Sequence, residues 1–242
     1  MHLNRHQRVC LFLYLILLMF TLTSRAQTAP LKIVTEFSPP HQIIENEQVS
    51  GLATQKVQAI LQQANVKAPI DIYPWARAYR KASNEPNTLI YSMAKTEERA
   101  PLFYWLAPVA QYKFGWVSLQ DRKDIVLNEL AEAKQYRIVV QRDDISHLWL
   151  IKQGFIEDKH FITCADIGCS WQLLINKNVD LIIESVDLID DMLQRLNHPL
   201  DSVQFISYIP ELEITAYLAA NRNIDPSLLS RLQVAISTLN QE

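Results

Sequence analysis

The chain has 242 residues, 49% hydrophobic and 20% charged, with 23 Lys and Arg against 26 Asp and Glu and a formal net charge of −3. That length and apolar content suffice for one substantial core or two modest lobes. A mildly acidic balance without basic runs argues against a nucleic-acid partner. The four glycines, Gly51, Gly115, Gly154 and Gly168, exclude GxGxxG and Walker-type phosphate loops.

At the N-terminus, Met1–Arg8 carries Arg5 and Arg8 and no acid, and Val9–Leu22 is an almost unbroken apolar run. Ser24-Arg25-Ala26 then places small residues where a signal peptidase reads. This predicts a secretory signal peptide over residues 1–26, cleaved after Ala26, since about 14 apolar residues fall short of the roughly 20 that a spanning helix needs. Cleavage leaves 20 basic against 26 acidic side chains, a net charge of −6. Cys10 leaves with the signal, and the two cysteines that remain, Cys164 and Cys169, lie five positions apart. In an oxidising compartment such a pair is expected to form a disulfide. His41, His147, His160 and His198 show no HxxxH spacing and there is no CxxC, so no metal site is expected.

Leu31–Glu36 reads as a strand, stopped by Pro39 and Pro40. Apolar residues at Ala53, Val57, Ile60, Leu61 and Ala64 follow helical spacing. Pro69–Tyr73 reads as a second strand, Pro74 and Trp75 open a helix through Ala82, and Thr88–Ser92 is a third, buried strand. Tyr112–Leu119, aromatic and β-rich, reads as an extended crossover into a second unit. There the spacing predicts helix Val126–Lys134, strand Arg137–Gln141, and helix Asp144–Gln153 capped by Asp144 and stopped by Gly154. Helix Ser170–Asn176, strand Val179–Ile183 and helix Val186–Leu196 follow. Strands recur at Val203–Ile206 and Ile214–Ala219, and Asp225-Pro226 caps a last helix through Leu239. The alternation implies an α/β fold with parallel sheet and right-handed crossovers.

Polar and aromatic side chains collect at the predicted strand ends, where open α/β sheets bind ligands. They are Glu36; Tyr73, Trp75 and Arg77; Ser92 and Arg99; Gln141-Arg142-Asp143-Asp144; and Glu184-Ser185. Arg99 offers a planar fork of donors suited to a carboxylate; an exposed first turn in which it pairs with Glu97 or another nearby acid is the alternative. Trp75 suits a core equally well, Asp144 a helix cap alone, and Arg142 a solvated pair with Asp143. There is no GxSxG elbow, no HExxH and no cysteine with a catalytic setting, which favours a binding protein over an enzyme.

Ser92–Arg99 with the downstream Pro108–Val117 resembles the S/G-x-T-x-T-x-E-R … FS-x-P-Y run and first hinge of the periplasmic solute-binding proteins of the amino-acid (family 3) class. Lys32–Pro40 resembles that family's opening strand and ligand loop, Asn178-Val179-Asp180-Leu181 its G-R-x-D-A strand start, and Pro74–Tyr79 a variant of some members. The resemblance runs from Leu31 to Leu239 and implies a periplasmic-binding-protein-like II fold, with two α/β lobes joined by two hinge strands. Residues 27–111 would form the first lobe, 112–212 the second with its flanking hinges, and 213–242 the return to the first. Closure is expected about Tyr112–Gly115 and Glu211–Tyr217. The resemblance further implies a periplasmic monomer without cofactor that captures a small, carboxylate-bearing, amino-acid-like ligand. Its partner would be an ABC permease or a sensor membrane protein. The rivals are a cyclohexadienyl-dehydratase-like enzyme on the same fold, with Glu184 as general acid, and a ligand-sensing accessory protein.

Carried over residue by residue, Arg99 matches the arginine that grips a ligand carboxylate, Ser92 the strand end whose backbone meets the ligand amine, and Glu36 the polar residue of the first loop. With Tyr73, Trp75, Arg77, Arg142, Asp143 and Glu184 these form the candidate ligand-binding set. The chain departs from the family pattern in three places. Ala94 stands where a ligand-binding Thr is usual, and Asp143-Asp144 replace a Gly-Ser/Thr turn. Ser185 stands where an Asp pairs with the α-amino group, with Glu184 beside it as a substitute.

Overall fold

The computed structural model describes residues 29–241; the predicted signal peptide over residues 1–26, with Cys10, lies outside them. The chain begins with strand β1 (Lys32–Thr35), the hairpin β2 (Ile43–Glu45) and β3 (Gln48–Ser50), helix α1 (Leu52–Gln63), β4 (Ile70–Ile72), α2 (Trp75–Asn84) and β5 (Thr88–Ala94). A 17-residue strand, β6 (Phe103–Leu119), leads on to β7 (Ile138–Gln141), α3 (Ile145–Lys152), β8 (Phe161–Cys164), α4 (Ile167–Ile175), β9 (Leu181–Ser185) and α5 (Ile189–Arg195). The 19-residue β10 (Val203–Asn221) and α6 (Pro226–Leu239) close it. Among the described residues no helix is long and apolar enough to cross a membrane.

Several boundaries differ from expectation for identifiable reasons. The predicted crossover Tyr112–Leu119 is the second half of β6, and the two predicted strands at Val203–Ile206 and Ile214–Ala219 are the ends of β10. The helix expected over Val126–Lys134 shrinks to a 3₁₀ turn, Leu130–Gln135. Val126 is exposed, only Ala133 of the turn is buried, and Leu127 and Leu130 pack only in part, so the apolar contact is too small to hold a longer helix. Helix α4 starts three residues before the predicted Ser170, because Asp166 caps it through the Cys169 amide at 2.9 Å. Neither the β2–β3 hairpin nor β8 is among the predicted strands; each is only three or four residues long.

Eight strands form one sheet in the order β4-β1-β5-β10-β6-β9-β7-β8. The expected parallel pairing is found within β4-β1-β5 and β9-β7-β8. In between, β10 runs antiparallel to β5 and β6, and β6 antiparallel to β9. Only residues 95–102 separate β5 from β6, too few for the dozen or more that a parallel crossover takes. The β6–β10 ladder breaks between Tyr208 and Glu213, at the segments predicted as hinges.

On either side of that break, helices cover both faces of the sheet. Ile33, Leu89, Tyr91 and Leu218 pack beneath α1 and α6, while Val34, Ile90, Met93 and Ala219 pack against Trp75 and Ala78 of α2. In the other half Val139, Ile182 and Trp171 share one core, and Ile138, Val140, Leu181, Ile183 and Trp149 the other. Alternating residues thus enter opposite cores, as the two-residue period of a strand covered on both faces requires. Asp180, at the start of β9, accepts from the Arg137 amide at 2.9 Å and Nε at 3.0 Å and from Arg122. Burial acts to raise its carboxyl, but these bonds outweigh it and hold the group below the usual range.

Gly51 fixes the loop that follows β1. Its φ is 109°, and its neighbours Leu52 and Ala53 donate to the Pro40 and His41 carbonyls at 3.0 and 3.1 Å. A Cβ at Gly51 would lie 2.6 Å from the His41 oxygen and 2.8 Å from the Pro40 oxygen. Gly51→Ala is therefore expected to cost about 2–4 kcal/mol, from a disfavoured φ and a backbone clash together. Chemical denaturation checks this, and a loss below about 0.5 kcal/mol, the usual range of a neutral surface change, would contradict it.

Candidate functional site

The C-terminal ends of β1, β5, β7 and β9 meet at one cleft between the two halves of the sheet. It leaves a cavity of about 50 Å³ whose lining includes Glu36, Ser92, Arg99, Gln141, Asp144, Ser170 and Glu184, with Trp75, Tyr112 and Phe114 as aromatic walls. Beside it, past Glu36 and Gln141, runs a groove of about 230 Å³ lined by Phe37, Tyr73, Pro74, Asp166 and Gly168.

Ser92 reaches the cleft through a bulge. In β5 and β10, Ile90 pairs with Ala219 and Met93 with Tyr217, so Tyr91 and Ser92 together face Leu218. Ser92 has φ 60°, and beyond it the inside–outside alternation reverses: Met93 joins the core of Ile90 rather than that of Tyr91. Bulges re-aim side chains in this way. The Ser92 hydroxyl accepts from Gln42 Nε2.

Arg99 is 3% exposed and anchored by the turn that follows β5, where Thr96 Oγ1 accepts from its amide at 3.2 Å. Its guanidinium donates from Nη1 to the Ala94 carbonyl at 3.3 Å and from Nη2 to the Asp143 carbonyl at 2.8 Å. The guanidinium carbon lies 5.2 Å from the Trp75 ring centroid and 5.1 Å from that of Tyr79, within cation–π range. The alternative pairing with Glu97 is not what the fold selects. Trp75 Nε1 donates to the same Asp143 carbonyl at 2.7 Å, so the indole is both core and cleft wall.

Three carboxylates line the same cavity as this guanidinium, and Glu36 and Asp144 interact with it electrostatically. Glu36 accepts from Gln141 Nε2 at 2.7 Å, a bond between the two halves of the sheet. Burial pushes its carboxyl up to about 8, helped by Asp144 and Glu184 and opposed by the Gln141 bond and Arg99. Glu184, 6% exposed, accepts from Trp171 Nε1 at 3.1 Å and from the Ser185 amide at 2.9 Å. Burial pushes it up to about 7. Asp144 caps α3 through the His147 amide at 2.7 Å, accepts from Ser146 Oγ at 2.7 Å, and is raised chiefly by burial. Like carboxylates buried together raise one another in this way.

Of the nine candidate ligand-binding residues, the fold brings Glu36, Trp75, Ser92, Arg99 and Glu184 together around the cavity. Asp143 takes part through its carbonyl; its carboxylate is exposed. The other three stand apart. Tyr73 lines the adjoining groove, exposed Arg77 stacks over the Tyr73 ring at 4.6 Å, and exposed Arg142 reaches Thr163 Oγ1 at 3.4 Å rather than Asp143. The candidate set omits Gln141, Asp144, Ser170 and Tyr112. Gln141 and Asp144 sit at a strand end and a helix cap, positions visible in the sequence; Ser170 and Tyr112 carry no such signal. Cys164 and Cys169 form the expected disulfide, tying the end of β8 to the first turn of α4. Among the described residues no three His, Cys, Asp or Glu side chains are grouped as metal ligands.

No protein-family model and no curated protein matches the chain. Solved structures do. A histidine kinase sensor domain with similarity to periplasmic binding proteins matches with a TM-score of 0.74 at 15% identity, over 90% of this chain and 92% of that one. The arginine-, lysine-, histidine-binding protein ArtJ of Geobacillus stearothermophilus matches at 0.72 and 14% identity, over 88% and 90%. An ancestral arginine-binding protein bound to glutamine gives 0.73 at 16%, over 88% and 92%. At such identities the likeness is one of fold, and the fold is that of the periplasmic-binding-protein-like α/β class.

Proposed function

We propose that the chain is an extracytoplasmic solute-binding protein that closes on a small, amino-acid-like ligand between residues 27–111 with 213–242 and residues 112–212. The observation that carries this is the convergence, at strand ends from both halves, of the buried Arg99 guanidinium with the buried Glu184 and the half-buried Glu36 and Asp144. Arg99 takes the ligand carboxylate, the acids take its amine, and Trp75, Tyr112 and Phe114 enclose the rest. A cavity of about 50 Å³ admits only a few waters, so such a ligand enters by opening about the break in the β6–β10 ladder. The bonds from Trp75 and Arg99 to the Asp143 carbonyl and from Gln141 to Glu36 then re-form on closure. Delivery to an ABC permease or signalling to a sensor membrane protein follows from this reading.

A thermal-shift screen of the proteinogenic amino acids tests it, because a ligand that binds only the folded state stabilises it. For any amino acid that binds, Arg99→Ala is expected to weaken affinity by roughly 100-fold, from loss of charge-assisted hydrogen bonds of about 1.5–3 kcal/mol each. Unchanged affinity in calorimetry would remove Arg99 from the carboxylate site. The dehydratase reading draws on the raised Glu184, which would hold a proton to donate near neutral pH. Turnover of prephenate or arogenate by the purified protein would support that reading instead.

A further inference from the structure

At about 50 Å³ the central cavity falls well below the roughly 300 Å³ at which small-molecule sites begin. The adjoining groove, about 230 Å³, supplies most of the difference, and the two share Glu36, Gln141 and Ile167 as walls. The start of α4 borders both: Ser170 lines the cavity, Gly168 the groove, and Ile167 each of them. Phe37, Ile72 and Tyr73 are half-buried along the groove and Ile167 is buried, so its walls are largely apolar. Arg77 and Lys81 lie over the Tyr73 ring at 4.6 and 5.4 Å and hold that wall in place.

Where cavity and groove meet, the chemistry suits a neutral amide better than an ammonium. Gln141 donates to Glu36 there at 2.7 Å, and a side-chain amide still has a second N–H and a carbonyl oxygen to offer. On the cavity side Ser170 is 5% exposed, and its Oγ has no hydrogen-bond partner among the described residues; a hydroxyl both donates and accepts. The nearby acids supply little negative charge at neutral pH, since burial pushes Glu36 up to about 8, Glu184 up to about 7 and Asp144 in the same direction. An ammonium buried against protonated acids loses its hydration without a full counter-charge, whereas an amide needs only hydrogen bonds. Arg99 has five N–H donors and gives two to main-chain carbonyls, which leaves donors for a carboxylate. We infer that the ligand is an α-amino acid acylated on its nitrogen, with its carboxylate on Arg99, its amide at Gln141 and Ser170, and its acyl group in the groove of Phe37, Tyr73 and Gly168. This deepens the solute-binding reading and rests on it, the amine of that reading being present as an acylated nitrogen.

Calorimetry on the purified protein tests this with L-alanine, L-glutamine and L-phenylalanine, each free, N-acetylated and N-hexanoylated. For at least one of them the acetyl form is expected to bind about 10-fold more tightly than the free amino acid. The hexanoyl form should gain a further 10- to 100-fold, roughly, since each methylene buried in an apolar groove contributes up to about fourfold. Gly168→Phe fills the groove. A Cβ at Gly168 would meet only Asp166 Oδ1 within 4 Å, at 3.4 Å, and the hexanoyl form should then bind no better than the acetyl form. Tyr73→Ala removes a groove wall and should cut the hexanoyl gain by about 3- to 10-fold; it decides alone if Gly168→Phe does not fold. L-leucyl-L-alanine set against N-hexanoyl-L-alanine separates two sources of the same chemistry. Tighter binding of the dipeptide points to a peptide ligand and the reverse to an N-acyl amino acid, and either supports the inference when it exceeds free alanine. Free amino acids binding as tightly as their acylated forms would overturn the inference and leave the solute-binding reading standing. A hexanoyl gain unmoved by both substitutions overturns the placement in the groove. No binding by any of these probes overturns the inference, and the amino-acid screen then decides the solute-binding reading by itself.

Discussion

Raising the pH from 6.5 to 8.5 is expected to destabilise the protein by on the order of 2–3 kcal/mol, as buried Glu36 and Glu184 lose protons that the unfolded chain does not hold there. Their carboxyls stand at about 8 and about 7 in the folded protein, against an ordinary value of 4.5. A raised acid gives stability that is complete below the ordinary value and lost as the pH climbs through the folded one. Glu36 faces Asp144, Glu184, Arg99 and Gln141; Glu184 faces Asp144, Trp171 and the Ser185 amide. Of these, Asp144 is raised in the same sense.

His41 and His160 are held below their ordinary 6.5, mainly by burial, and Asp121, Glu85 and Asp180 are held low enough to stay ionised throughout. Tyr91 and Tyr112 are pushed up to about 12. For a chain of this size the loss corresponds to a fall in Tm of about 5–10 °C, readable by calorimetry. Glu36→Gln should remove the larger share of the slope. A melting temperature that is flat or rises across the window would show that these carboxyls are ionised in the folded protein.

Trp171→Ala is expected to cost about 3–5 kcal/mol, the usual range for emptying a fully buried aromatic site. The ring is 0% exposed, packed with Val139, Ile182, Leu174 and Leu193. The same change deprives Glu184 Oε2 of its indole donor at 3.1 Å, leaving a buried carboxyl with one bond fewer. Trp171→Phe separates the two effects, since it keeps most of the ring volume and loses only the N–H. Its cost should be about 1–2 kcal/mol, with Glu184 pushed higher still. Urea denaturation of both variants checks the pair. A Trp171→Ala cost below about 1 kcal/mol would mean that the cavity collapses freely and that this core does not hold Glu184 in place.

Local signals carried well wherever a residue's role depends only on its sequence neighbours. Asp144 caps α3, Asp225 caps α6 through the Leu228 amide at 2.9 Å, and Gly154 ends α3 with φ 75°, all as their spacing predicts. Strand β5 and helix α1 lie where β-branched runs and helical periods place them. The Val126–Lys134 helix failed for the converse reason: only Ala133 of it is buried, with Leu127 and Leu130 partly so, too little packing to hold a longer helix.

For the site, the sequence by itself determined which residue types stand at the ends of β1, β5, β7 and β9, because a strand end follows from the length of its apolar run. It thereby named Glu36, Ser92, Arg99 and Glu184. Only the tertiary structure decided which of these strand ends share a cleft and which way their side chains point. The bulge at Ser92 depends on pairing with β10, more than a hundred residues away. Ser170 enters the cleft because the Asp166 cap and the Cys164–Cys169 disulfide set where α4 begins. Arg99 finds the Asp143 carbonyl rather than Glu97 because the antiparallel β6 and β10 set the two halves face to face. Long-range pairing and burial select among contacts that are equally open to the chain locally. The charge balance of the cleft, one guanidinium against three carboxylates, exists only once that selection is made.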